Sequence, residues 1–514
     1  MFSNKLQVFV KQNKFLSFVI LFYIASIFIG AYRYYSPFPV GDMWQGYLEF
    51  YLSLLDGDYS AWWSQHNEHR IVVSKLFFYL DLKYFGGLSL LLIPLNLILL
   101  LMCWGGLLFY SVHLLKDKVS VQDLLYFIAL LIVFSFSWKQ DENIVWAFQS
   151  QFWLAYLFPL LAFLFLSLSE SHQDRGKLYY GLSCIFGILS AGTMANGVLV
   201  LPILVVQSYF LRKTWFSISF LVAIAIVSTY LYLDSYQTAA HNHSALDNIK
   251  NLKMEMIIFF IEYLGSPLKS MYGSFVFGIL HLYLICNVLI NCFKEKIKPI
   301  YFSIIAFVTY YLCSAIIITA ARVDIGISAA LVGRYTTPTI ISFFLVLILF
   351  FHFSPRNIRY INKRNVTIIA VLMLGTQART IIKNVDKIHD NQRVEAMQLE
   401  LGVYPKLEVQ KIATAAASRN MSIFNLRPFV DQKEKMNSKI DASKCRIEKF
   451  TAISEAQYES SNLLDKKENI YGVNSNMEII GIGVQSRLNE NRINLITQNN
   501  RNGDKKLTFY MCSG

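Results

Sequence analysis

Charge is what this sequence has least of: 16% of its 514 residues are Asp, Glu, Lys or Arg, against about 25% in an average soluble domain. With 55% of residues apolar, that scarcity argues against a soluble globular chain. The net charge of +13, from 47 basic and 34 acidic residues, is not gathered into a patch, and no zinc-finger or basic-helix pattern accompanies it. A nucleic-acid partner is therefore not expected. No GxxxxGK[ST] phosphate cradle and no HExxH zinc motif occurs, nor is there a repeat at about 20–50 residue spacing or an inverted-half symmetry. Most apolar runs have no Asp, Glu, Lys or Arg near their centres, and His281 is the one imidazole well inside a run. Proton-coupled transporters usually need intramembrane carboxylates. Their absence weighs against a secondary transporter and leaves a lipid flippase with a polar cavity open.

What is present is a series of runs approaching the ~20 apolar residues that cross a bilayer. Eleven candidates lie near 15–31, 88–113, 124–137, 152–169, 178–191, 198–211, 215–233, 272–293, 300–320, 338–353 and 366–378, the fifth, sixth and last being short. The first follows Lys5, Lys11 and Lys14 and lacks a convincing cleavage site, so it reads as an uncleaved signal anchor. Alternating the runs from a cytoplasmic N-terminus puts Arg212-Lys213, Lys294 to Lys298 and Arg356 to Arg364 in short cytoplasmic loops, as the positive-inside rule favours. The expectation is a polytopic α-helical membrane protein of about eleven spans with its C-terminus outside. Residues 1–378 would form the membrane domain, with outer loops at 32–87, 138–151, 234–271 and 321–337. Residues 379–514 would form a small β-rich or α+β envelope-facing domain.

The outer loops hold the chemistry. Asp42 follows Gly41, and Trp44, Tyr47, Leu48, Tyr51, Leu52 and Leu55 then form one apolar helical stripe, suited to lying at headgroup depth. Asp42 has two compatible readings, a catalytic acid or the cap of this helix with Gln45 completing a capping box. Further on, Trp63, His66, Glu68, His69 and Arg70 bring indole, imidazole, carboxylate and guanidinium together, the mixture that binds sugar faces and hydroxyls. His66 and His69 could ligate a metal beside Glu68, but no third-ligand spacing accompanies them, and no metal is expected. Asp141 and Glu142 form a second acidic pair, either substrate-binding or simply solvated. Arg322 and Arg334 flank one short loop, where two planar forks suit a phosphate at headgroup depth and the bland reading is snorkelling.

In the tail, a charged helical stretch at about 380–398 and an apolar periodicity at 405–421 precede strand-like segments at Cys445 to Ile453, Met477 to Gln485, Arg492 to Gln498 and Lys506 to Cys512. Five of the seven cysteines lie in expected spans, leaving Cys445 and Cys512. In an oxidising bacterial envelope these two would pair, joining the first and last strands; two unrelated buried thiols is the alternative.

The organisation resembles the GT-C superfamily of multi-span glycosyltransferases, and more closely the phage-type bacterial serotype-converting O-antigen glucosyltransferases. Gly41-Asp42, the His66-to-Arg70 segment, Gly192-Thr193-Met194-Ala195-Asn196-Gly197 and Gly333-Arg334-Tyr335 carry the resemblance, which covers residues 1 to about 378. It implies an inner-membrane enzyme whose polyprenyl-phosphate-hexose donor is used at the periplasmic face on a lipid-linked or lipopolysaccharide glycan acceptor. Asp42 matches the general-base position, and Arg322 and Arg334 would stabilise the leaving phosphate. Oligosaccharide-transferring relatives carry a DxD-like metal site in this loop. Here the only nearby one is Asp56-Gly57-Asp58, where Gly57 reads as a helix C-cap, so a metal-independent enzyme with no cofactor is expected. A flippase or exporter of a lipid-linked sugar, and an O-antigen polymerase, are the rival readings.

Overall fold

The computed structural model describes residues 2–237, 245–250, 253–294, 298–425, 438–441, 443, 445–453, 457–461, 464, 468–473, 478–486, 489, 491–497 and 508–513. Parts of the expected loops at 234–271 and Lys294 to Lys298, and the strand ends at Met477, Gln498 and Lys506-Leu507, lie outside the described residues. The chain packs as two compact units. The first comprises Met1–Tyr32, Trp62–Phe77 and Leu92–Thr380; the second comprises Arg33–Ala61, Phe78–Leu91 and Ile381–Gly514. The tail is thus not a unit by itself, because two pieces of the loop after the first apolar helix fold with it.

Among the described residues, nine helices are long and apolar enough to cross a membrane: Lys14–Tyr34, Leu92–Leu115, Val121–Val145, Ala147–Ser171, Trp215–Leu233, Met271–Cys292, Pro299–Ile325, Gly333–Phe353 and Lys363–Glu400. They give the chain the character of a multi-pass membrane protein. The runs near 178–191 and 198–211 form the shorter helices Gly176–Ala191 and Val200–Phe210. Gly333–Phe353 is the centre of the first unit, with 89% of its apolar window buried, whereas Trp215–Leu233, at 22%, is peripheral. Around that centre Phe127 and Phe134 pack against the Phe344 ring, and Phe277 against Phe134 and Phe343.

At one end of this unit the connecting segments bond to one another. Tyr126 donates to Asn13 Oδ1 at 3.1 Å, a His352 ring nitrogen lies 2.8 Å from the Leu114 carbonyl, and Lys213 pairs with Glu170 at 2.8 Å. The opposite end is described below.

In the second unit, Trp44–Glu49 is a π-helix continued by the α-helix Phe50–Leu55. The wider π turn puts Trp44, Tyr47, Leu48 and Leu52 in the interior while Leu55 is exposed. This stripe is therefore not an interfacial surface. Tyr47 donates to Asp81 Oδ2 at 2.6 Å, and the same fully buried carboxylate accepts the N–H groups of Ser89 and Leu91 at 3.0 and 2.8 Å. Met43, one position beyond the expected Asp42, stands at the helix N-cap with no side-chain cap bond. Gly57, at φ 87°, turns the chain out of the helix, and Asp56 pairs with Arg419, just beyond the helix Leu407–Ser418.

The unit ends in a seven-stranded antiparallel sheet of β1 (Cys445–Glu448), β2 (Phe450–Ala452), β3 (Gln457–Ser460), β4 (Glu468–Val473), β5 (Ile479–Gln485), β6 (Arg492–Thr497) and β7 (Thr508–Ser513), in the order β1-β7-β4-β5-β6-β3-β2. Successive side chains alternate between two cores. Tyr510 and Cys512 join Tyr471, Ile482 and the helical residues Met397 and Leu401, while Phe509 and Met511 join Ile470, Ile493 and Leu495. Cys445 and Cys512, opposite each other in the β1–β7 register, form a disulfide.

Candidate functional site

The segment after Trp62 makes a tight hairpin. His66 and His69 exchange backbone hydrogen bonds at 2.8 and 2.9 Å around Asn67-Glu68, with Asn67 left-handed at φ 48°, a conformation Asn tolerates better than most residues. At its tip, Glu68 Oε1 accepts from Arg322 Nη2 at 2.7 Å and lies 3.8 Å from His69 Nε2. His69 Nδ1 accepts the Ala195 N–H at 3.1 Å. That bond requires Nδ1 to be unprotonated and leaves the ring proton on Nε2, toward Glu68. The Glu68 carbonyl accepts from the hydroxyls of Tyr232 and Tyr236, both at 3.2 Å. Burial, with the Glu68 charge second, raises the Tyr236 pKa.

Arg70 holds the hairpin in place. Its guanidinium donates to the carbonyls of Trp63 at 2.6 Å, Tyr232 at 2.9 Å and Asp234, and stacks on Trp63 at 5.4 Å. It is 4% exposed. With these donors occupied by backbone, Arg70 positions the site instead of meeting a ligand. Trp63 keeps much of its surface open at 44% exposure. The His66 ring packs edge-on against Phe148 at 5.2 Å. Gln65 and Gln237 exchange two hydrogen bonds, and Val73 N–H donates to the Gly192 carbonyl at 3.1 Å.

Asp141, Glu142 and Arg334 belong to a neighbouring set of ion pairs. Asp141 Oδ1 meets Lys269 Nζ at 3.1 Å, and Glu142 receives Arg334 twice, from the guanidinium and the backbone N–H, each at 3.2 Å. Gly333 leaves room for this pair: a Cβ at that position would lie 2.9 Å from Asp141 Oδ1 and 3.2 Å from both Glu142 Cβ and Lys269 Nζ, so the ion pair would have to shift. Asn143 ties the loop down by donating to the Arg334 carbonyl and Thr337 Oγ1. The two acids are ion-paired, not merely solvated. Arg322 and Arg334 each face a carboxylate, so the pair of uncommitted forks expected for one phosphate is not what the loop presents.

Asp42 is in the second unit, half-buried at the head of the π-helix, its carbonyl accepting the Gly46 N–H at 2.8 Å. No group of three or more His, Cys, Asp or Glu among the described residues could hold a metal ion.

Two residues escaped the sequence reading. Lys75 is 1% exposed and donates to the Ser64 carbonyl and hydroxyl at 2.7 and 2.9 Å; burial, aided by the Arg70 charge, pushes its pKa down to about 8. Its signal was a lone lysine within the apolar run from Ile71 to Phe78. Lys269, left-handed at φ 47°, carried none, since its acidic partner is 128 positions away. No family model, curated protein or solved structure matches the chain.

Proposed function

We propose that the protein is an inner-membrane glycosyltransferase that moves a hexosyl residue, in our reading glucosyl, from a polyprenyl-phosphate-linked donor to an envelope glycan such as O-antigen on the periplasmic face. The observation that carries this reading is the convergence of the expected outer loops. Residues 62–70, 138–151, 192–197, 232–237, 269 and 322–337 are joined by the hydrogen bonds and ion pairs above, which supports their lying at one membrane face. The Glu170–Lys213 bond joins two loops that are both expected on the cytoplasmic side. Together these bonds favour eleven crossings, with Gly176–Ala191 and Val200–Phe210 as a short hairpin. The Cys445–Cys512 disulfide suits an oxidising periplasm.

The resemblance assigns to Asp42 the step in which an acceptor hydroxyl loses its proton, its oxygen attacks the anomeric carbon, and the lipid phosphate leaves with the bonding pair; the sugar-binding groups named next are those of the first unit. Trp63 offers a stacking face for a sugar ring. Glu68 and His69, with one carboxylate and an Nε2–H, offer an acceptor and a donor for its hydroxyls. Arg322, already charge-paired, turns toward the phosphate as negative charge develops there.

The test is mass spectrometry of envelope polysaccharide from cells with the protein, without it, and with Asp42→Asn at matched expression. One added hexose per repeat unit, present with the wild type and absent with Asp42→Asn, is the expected result. Identical masses in all three would overturn the transferase reading for that glycan and turn attention to export of a lipid-linked sugar. A change in chain length alone would point to a polymerase.

A further inference from the structure

Beside the Asp141–Lys269 pair is an open recess of about 340 Å³, solvent at its mouth included, lined among others by Ser137, Trp138, Lys139, Asp141, Lys269 and Thr376. Lys139 and Lys269 against Asp141 leave it one net positive charge. Lys269 is held by Asp141 at 3.1 Å, whereas half-buried Lys139 makes no side-chain hydrogen bond or salt bridge with any described residue. Lys139 is partly withdrawn from water beside the like charge of Lys269, which the single carboxylate of Asp141 offsets only in part; that is costly, and an anion seated between the two ammonium groups would offset the cost.

The surroundings say where the anion comes from. Thr376 is on the long helix Lys363–Glu400, and Ile368 and Leu372 stand eight and four residues before it on the same exposed face. A strip of exposed apolar side chains therefore runs along the helix to the recess. A soluble anion has no use for that strip, and an acyl or prenyl chain does.

We propose that this recess binds a lipid-borne phosphate, its oxyanion between Lys139 and Lys269 and its chain along the Ile368–Leu372 face. The proposal shares with the transferase reading only the placement of these loops at a bilayer surface. Binding is measured without turnover, so either can fail alone.

The test is native mass spectrometry of the purified full chain released from detergent with dioleoyl phosphatidic acid, dioleoylglycerol or inorganic phosphate. The wild type is expected to retain one phosphatidic acid and neither of the others. Lys139→Gln should lower retention by at least about fivefold, as loss of a charge-assisted contact does, and Lys139→Arg should restore it. Thr376→Phe, which blocks the recess from an exposed position without removing charge, should lower it as well. Equal retention by wild type and both damaging variants would overturn the proposal. So would equal retention of dioleoylglycerol, which would make binding chain-driven, or displacement of the lipid by equimolar inorganic phosphate, which would make the ligand a soluble anion.

Discussion

Arg322 Nη2 and Glu68 Oε1 meet at 2.7 Å across 254 positions of sequence. The side chains are 26% and 13% exposed, so removing either takes the ion-pair partner from a partly buried charge. Arg322→Ala is expected to cost about 1–3 kcal/mol, read as a lower thermal midpoint in detergent. A double-mutant cycle with Glu68→Gln should show coupling, and additive losses would mean that the two contribute independently.

Lys75 gives stability a pH dependence of definite sign. Its folded pKa of about 8 is below the ordinary 10.5, so between these values unfolding takes up a proton and stability rises with pH. The penalty on the buried ammonium is complete below about pH 8 and is relieved by about pH 10.5, a difference of roughly 3 kcal/mol for a shift of this size. Thermal midpoints of the wild type should climb through that window relative to Lys75→Met. Parallel curves would show that the lysine does not titrate there.

Asp81 accepts three hydrogen bonds with no exposure to water. Tyr47→Phe removes one donor and should cost about 1 kcal/mol, while Asp81→Ala strands two backbone N–H groups and the Tyr47 hydroxyl and should cost about 3 kcal/mol or more. Limited proteolysis of Arg33–Ala61 and the tail reads the effect, and equal sensitivity of the two variants would argue against this ranking.

The Cys445–Cys512 bond closes a segment with a sequence separation of 67, for which a chain-entropy account gives about 4 kcal/mol. Maleimide labelling of the denatured chain should spare both cysteines until reductant is added. Labelling of Cys445 or Cys512 without reductant, beyond that of the five free cysteines, would show that the pair is reduced in the isolated protein.

The long apolar helices were legible because hydropathy over about 20 residues has few rival explanations. Partnerships were not. Trp44, Tyr47, Leu48 and Leu52 do form one stripe, but periodicity names no partner, and the buried Asp81 and the tail replace the expected bilayer surface. The π-helix at Trp44–Glu49 has no local sequence mark. Arg322 and Arg334 were legible as cations and illegible as partners of Glu68 and Glu142, since ion pairing across hundreds of residues leaves no pattern in a single chain. The tail strands were readable from alternation, as at Phe509 to Cys512, but their order was not.

The hairpin of Gly176–Ala191 and Val200–Phe210 has a mechanical consequence. A helix of 16 residues rises about 24 Å, less than the roughly 30 Å hydrocarbon core of a typical bilayer. If the hairpin crosses as proposed, local thinning of both leaflets is one way to match its length. Under the proposed transferase reading, a thinner bilayer on the Ala195 side would bring lipid phosphates closer to His69 and Glu68, and a lipid-anchored sugar would then arrive sideways, along the plane of the membrane.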